Sequence, residues 1–176
     1  MQLSSNILII LMLLLGRNVF GQNKNPFLSL QYDSVLIYDF DWRGKQEYFS
    51  IVDASDHLAP TVRKSAGLDR KQYAKLNKLL GEKSSFGQST AACFEPHLGV
   101  VYYKAGKPLA YMTICMACNR LEASIRIPAQ EQGVQIAEGL TYYTKVGMGK
   151  SLRKYLYHLM ASNDFRYGDQ KSTLFD

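Results

Sequence analysis

Leu98-Gly99-Val100-Val101-Tyr102-Tyr103-Lys104-Ala105-Gly106-Lys107-Pro108-Leu109-Ala110-Tyr111-Met112-Thr113-Ile114 is two apolar, β-rich runs around a five-residue interruption. Aromatic and β-branched residues suit a pleated, half-buried surface, and Ala105-Gly106 suits a two-residue turn that needs positive φ. The stretch predicts a β-hairpin. With Ala105 and Gly106 as the turn residues, Tyr102 faces Leu109, Val100 faces Tyr111 and Leu98 faces Thr113. Extending that ladder outward places Cys93 opposite Cys118 and Pro96 opposite Cys115, with His97 beside them. A slip of one residue changes the partners but not the outcome. All three cysteines of the chain and one of its three histidines converge at the open end of one hairpin.

Two chemistries use such a cluster. One is a tetrahedral Cys3His zinc site of Cys93, His97, Cys115 and Cys118, because zinc takes soft thiolates and imidazole and a C-x2-C knuckle supplies two ligands from one turn. The C-x3-H half departs from the commoner spacing, and Pro96 restricts the backbone beside His97. The other is a disulfide, Cys93 with Cys118 or Cys115 with Cys118. Either leaves an odd thiol, which favours metal or redox use in an oxidising compartment. A thiol–disulfide oxidoreductase using Cys115 and Cys118 is a third reading. It normally needs the C-x2-C at a helix start, where the dipole lowers the thiol pKa, whereas here the motif follows a strand. A c-type haem site is excluded, since Asn119 stands where its histidine belongs.

The segments Cys93-Phe94-Glu95-Pro96-His97 and Thr113-Ile114-Cys115-Met116-Ala117-Cys118 resemble a family of small, mostly exported bacterial proteins without an assigned function. Its members share C-F-x-P-H/R, an apolar hairpin and I-x-I-C-x-x-C. The likeness covers roughly residues 65–120. It implies that Cys93, Pro96, His97, Cys115 and Cys118 act as one unit, and it implies no activity.

Outward from the hairpin, residues 34–40 predict a strand, 41–45 a turn around Gly44, and 46–52 a returning strand, making a second hairpin. Residues 53–67 read as irregular. Asp53, Asp56 and His57 there suit a polar loop in which aspartate side chains cap turns. Residues 69–80 predict a helix with Asp69 as N-cap, an apolar stripe of Tyr73, Leu76, Leu79 and Leu80, and Gly81 as the stop. Residues 121–127 alternate as a half-buried strand. Residues 129–139 read as a long loop, 140–145 as a short strand, and 148–161 as a second helix. That helix has Leu152, Leu156, Leu159 and Met160 inside and Lys150, Arg153 and Lys154 outside. His158 reads as a surface or packing histidine, and 163–176 as a frayed tail. The order predicts an α+β domain, an antiparallel sheet of about five strands in two hairpins with two packed helices.

The chain has 176 residues, 47% hydrophobic and 20% charged, which fits one ordinary globular domain. Residues 1–21 read as a signal peptide. The apolar run from Ile7 to Leu15 is about half of a bilayer span, and Val19-Phe20-Gly21 meets the small-residue requirement for cleavage. The n-region carries no Lys or Arg. Cleavage leaves a domain of residues 22–176 that has lost one positive charge, Arg17. The expected location is exported, periplasmic or extracellular, with membrane contact only during export and no lipidated cysteine. The net charge of +6 comes from scattered lysines and arginines, so no nucleic-acid partner is expected. No paired carboxylates, Ser-His-Asp set, phosphate loop or H-E-x-x-H motif argues for a hydrolase or nucleotide enzyme. The expected role is a non-enzymatic exported protein with a structural zinc or disulfide clamp; a cell-envelope binding module presenting exposed Tyr and Lys is the remaining reading.

Overall fold

The computed structural model describes residues 25–137 and 139–168; the expected leader, residues 1–21, lies outside them. The architecture is α+β. An antiparallel five-stranded sheet has the order β2-β1-β4-β5-β6, from Val62–Gly67, Ser34–Phe40, Leu98–Lys104, Lys107–Cys115 and Arg120–Ala123. Two small ladders stand apart from it. One joins β3 (Phe86–Gln88) to β9 (Gly147–Met148), and the other joins β7 (Glu131–Ala137) to β8 (Leu140–Lys145).

The central hairpin forms as the turn chemistry dictates. Ala105 at φ 50° and Gly106 at φ 77° are the two left-handed positions of a type I′ turn. The Asp33 carboxylate accepts the Ala105 N–H at 2.7 Å and pairs with Lys104 at 3.2 Å, fastening the turn to the start of β1. Tyr103 opposes Pro108, but Tyr102 opposes Ala110. Leu109 is therefore the extra residue of a bulge, and it stays 43% exposed. Pro108 has no N–H to give the ladder, which explains an irregularity at this point. From there inward the register is one residue later than the sequence predicts, with Val100 opposite Met112 and Leu98 opposite Ile114. The slip matters because it puts all four of those side chains in one core.

That core lies under the helices. Val35, Ile37, Leu98, Val100, Tyr102, Met112 and Ile114 pack against Leu76 and Leu80 of α2 (Arg70–Gly81) and Leu152, Leu156, Leu159 and Met160 of α3 (Lys150–Ala161). The Asp69 cap of α2 is a full capping box, with the Gln72 N–H donating to Asp69 at 2.8 Å and the Asp69 N–H to Gln72 at 2.9 Å. The buried Tyr102 hydroxyl donates to Asn77 Oδ1 at 2.7 Å, tying the sheet to α2. The Tyr155 hydroxyl donates to the Gln72 carbonyl at 2.7 Å, tying α3 to α2.

The other sheet face is covered by chain without regular structure. Tyr38, Phe40 and Val101 meet Ile51, Val52 and Ala59 there. Residues 46–52 are thus not the partner strand of β1. Both edges of β1 are already taken, by β2 and β4, so this segment crosses the face instead, anchored by the Ile51 N–H on Thr113 Oγ1 at 3.0 Å. Gly99 permits that crossing, because a Cβ there would run into the Ile51 side chain. In the following loop Asp53 accepts the N–H groups of Ser55 and His57 at 2.8 and 2.9 Å, the turn-capping role expected of it.

Three further expectations are corrected. Residues 131–137 are a strand rather than a loop, and the strand after Asn119 is the shorter β6. Residues 163–168 are packed rather than frayed, since Phe165 is buried at 4% exposure. A short helix α1 (Pro26–Ser29) precedes β1, with Phe27 in the core. Among the described residues no helix is long and apolar enough to cross a membrane.

Candidate functional site

Beyond the last ladder pair, the two chains of the hairpin keep company. The His97 N–H donates to the Ile114 carbonyl at 3.1 Å, and the Ala91 N–H to the Cys118 carbonyl at 3.0 Å. The segments 91–97 and 114–118 therefore run side by side, and Cys93 and Cys118 meet as a disulfide with their Cα atoms 5.9 Å apart. Cys93 is exposed, while Cys118 is 1% exposed.

Cys115 is a free thiol, wholly buried. Its sulfur accepts the Cys118 N–H at 3.1 Å. Burial pushes the thiol pKa up; the backbone N–H groups of Cys118, Glu95 and Ala117 pull the other way without overcoming it. The C-x2-C pair is not the bonded pair, and the turn at 116–119 leads into β6 rather than a helix.

The turn is held from behind by two buried polar residues. Asn119 sits at φ 52°, a conformation Asn tolerates better than most residues. Its side-chain amide donates to the carbonyls of Ser89 and Met148, both at 3.0 Å. Its oxygen accepts from Arg153 Nη1 at 3.0 Å, and the same nitrogen donates to the Met116 carbonyl at 2.8 Å. Arg153 is thus fully buried, not outside as α3 periodicity first suggests. A planar guanidinium reaches two acceptors on one turn, which lysine's point charge does less well. The signal was in the sequence: Arg153, Leu156 and Met160 are spaced i, i+3, i+7 on one helix face.

His97 is turned to a different task. Its ring stacks on Tyr167, with centroids 3.7 Å apart and planes 24° apart. Its Nδ1 is buried without a hydrogen-bond partner. Burial lowers its pKa, against the raising influence of Asp41, Glu95 and Asp39. The C-terminal segment completes this corner. The Arg166 N–H donates to Asp39 at 3.2 Å and its guanidinium to Asp41 at 3.3 Å.

The expected zinc set is therefore not gathered as a metal-holding group. Two of its sulfurs are bonded to each other, the third is buried among backbone N–H groups, and the imidazole is stacked. Zinc takes free thiolates, and as arranged here one of the three sulfurs is unbonded. Among the described residues no group of three or more His, Cys, Asp or Glu is arranged to hold a metal ion.

A cavity of about 280 Å³ opens between β6 and β8, lined by Thr90, Arg120, Glu122, Gln130, Thr144 and Lys145. Glu122 accepts from Arg120 at 2.9 Å and from Lys145 at 2.5 Å, so its charges are mutually engaged. Arg120 also lies over the Phe94 ring, 4.9 Å from its centroid. No protein-family model, curated protein or solved structure matches the chain.

Proposed function

We propose that the chain is an exported α+β protein whose central hairpin is closed by a disulfide clamp. The observation that carries this reading is the Cys93–Cys118 bridge across the open end of the β4–β5 hairpin. The apolar leader-like segment at residues 1–21 supports it, because export delivers a chain to a compartment where disulfides persist. The buried Arg153–Asn119 pair supports it too, by fixing the turn that carries Cys118. The test is peptide mapping without reduction of protein recovered from the periplasm or medium. A linked Cys93–Cys118 peptide is expected, and three free thiols would overturn the clamp.

A binding role for the same protein is favoured by one specific feature. Val134, Ile136 and Leu140 are 61%, 76% and 59% exposed on β7 and β8, which do not join the main sheet. Val134 and Ile136, two positions apart, share one face of this ladder and make a typical contact surface, while Leu140, opposite Ala137, lies on the other face. This moves the candidate surface away from Tyr and Lys. Ile136→Asp should weaken recovery of envelope components with tagged protein; equal recovery by both forms counts against the role.

A further inference from the structure

Three cysteines occupy three different environments at the open end of one hairpin. Cys93 faces solvent, Cys118 is buried and bonded to it, and Cys115 is buried and free. The Cys118 N–H bond onto Cys115 Sγ at 3.1 Å fixes that free sulfur against the backbone of the bridged residue. Since an N–Cα bond is about 1.46 Å, Cys115 Sγ lies within about 4.6 Å of the Cα that carries the bridged sulfur. Residues three apart across a tight turn bring their Cα atoms within about 7 Å, inside or near the span a disulfide allows. Arg153 holds the carbonyl of Met116, between the two cysteines, and Asn119 just after them. The free thiol and the bridge are thus held together by the same buried node.

We propose that these residues form a three-cysteine exchange site, in which Cys115 attacks Cys118 and releases Cys93 as a surface thiolate that takes disulfides of other proteins as substrates. The inference rests on the Cys93–Cys118 bridge of the clamp. In the first step Cys115 gives its proton to solvent and its sulfur forms a bond to Cys118 Sγ. The Cys93–Cys118 bond breaks, and its electron pair leaves on Cys93 Sγ. One disulfide is present before and after, so no oxidant or reductant is consumed. In the second step the Cys93 thiolate attacks an external disulfide. A mixed disulfide forms at Cys93 and the partner's other sulfur leaves as thiolate. The direction is set by burial, because of the three sulfurs only that of Cys93 belongs to an exposed residue. Burial also holds Cys115 protonated at neutral pH, so the exchange is slow until the thiolate is drawn out.

The test uses the full folded chain and N-ethylmaleimide as the trap. Protein is labelled at pH 7 and at pH 8, quenched in acid and mapped by mass spectrometry without reduction. The expected product carries the label on Cys93 and a Cys115–Cys118 link. It should accumulate about tenfold faster at pH 8, as the thiolate fraction of a high-pKa thiol rises tenfold per unit. Cys115→Ser should lower Cys93 labelling at least about tenfold, as expected when the attacking thiolate is removed. Cys93→Ser should isolate with a Cys115–Cys118 link, which tests reach directly. Labelling confined to Cys115, no labelling at all, or two free thiols in Cys93→Ser would each overturn the exchange while leaving the clamp in place. An untreated sample without a Cys93–Cys118 link would overturn the clamp itself.

Discussion

The guanidinium of Arg153 donates to the side-chain oxygen of Asn119 across 3.0 Å, and neither residue reaches solvent. Arg153→Met keeps the aliphatic bulk but strips donors from Asn119 and from the Met116 carbonyl. The Met116 carbonyl keeps the Asn119 N–H at 3.3 Å, so one buried acceptor, Asn119 Oδ1, is left unsatisfied and the variant should lose about 1–3 kcal/mol in urea unfolding. Arg153→Lys should lose less. An Arg153→Met midpoint equal to wild type would show that the node is not needed.

The clamp closes a segment of sequence separation 25. On the chain-entropy account, reducing a bridge of that span costs about 3 kcal/mol. Urea midpoints with and without reductant should differ accordingly, with a steeper slope for the reduced form, whose unfolded chain exposes more surface. Coincident curves would mean that the bridge stabilises nothing.

Acid should weaken the His97 corner. Burial keeps this imidazole below its ordinary pKa, so the folded state prefers the neutral ring. Stability from this source is complete above the unfolded value of about 6.5 and declines as pH falls from there through the folded pKa. His97→Phe keeps a stacking ring without the titration, and its stability should be flatter over that interval. Tyr167→Ala uncovers the ring, and an NMR titration should then show the His97 pKa moving up toward 6.5.

Glu122 should behave in the opposite sense. Burial pushes its carboxyl up, but hydrogen bonds and charge from Lys145 and Arg120 win and hold it below the usual range. Its contribution is present above about pH 4.3 and is lost as pH falls through the depressed folded value. All three side chains are about a third to a half exposed, so Glu122→Gln should cost no more than about 1 kcal/mol at pH 7. Wild type and variant should converge in urea midpoints near pH 3.

Gly99→Ala tests the covering of the second sheet face. The added methyl meets the buried Ile51 side chain, and overpacking of this kind costs about 1–3 kcal/mol. Ile51→Ala removes the nearest side-chain atom, so the double variant should lose less than the sum of the two single losses; strict additivity would argue against the contact.

Where local chemistry settled a conformation, the sequence was readable. β1 ends where the β-branched and aromatic run ends at Phe40, the Asp69 capping box starts α2, and the Ala105-Gly106 turn closes the hairpin. The convergence of Cys93 and Cys118 followed from that turn, and survived a one-residue slip caused by the Leu109 bulge. What escaped depends on long-range competition. Nothing local in residues 46–52 says that β1 will take residues 62–67 instead. That partner, with exposed Arg63 and Lys64, has little apolar alternation, as edge strands often do. The polar β7 is likewise a strand only because β8 pairs with it. His97 looked like a ligand because its sequence neighbours are cysteines. Its ring instead meets Tyr167, seventy positions away, in a segment whose packing no periodicity announces.

Cys93 and Cys118 lie on opposite sides of the exposed Ala105-Gly106 turn, so the bridge makes the hairpin a closed covalent ring. A protease that cuts at that turn opens the ring without releasing either arm. The nicked molecule would run as one species under non-reducing conditions and separate into two only when the sulfurs part. Damage at the tip of the hairpin is thereby made survivable by a bond at its base.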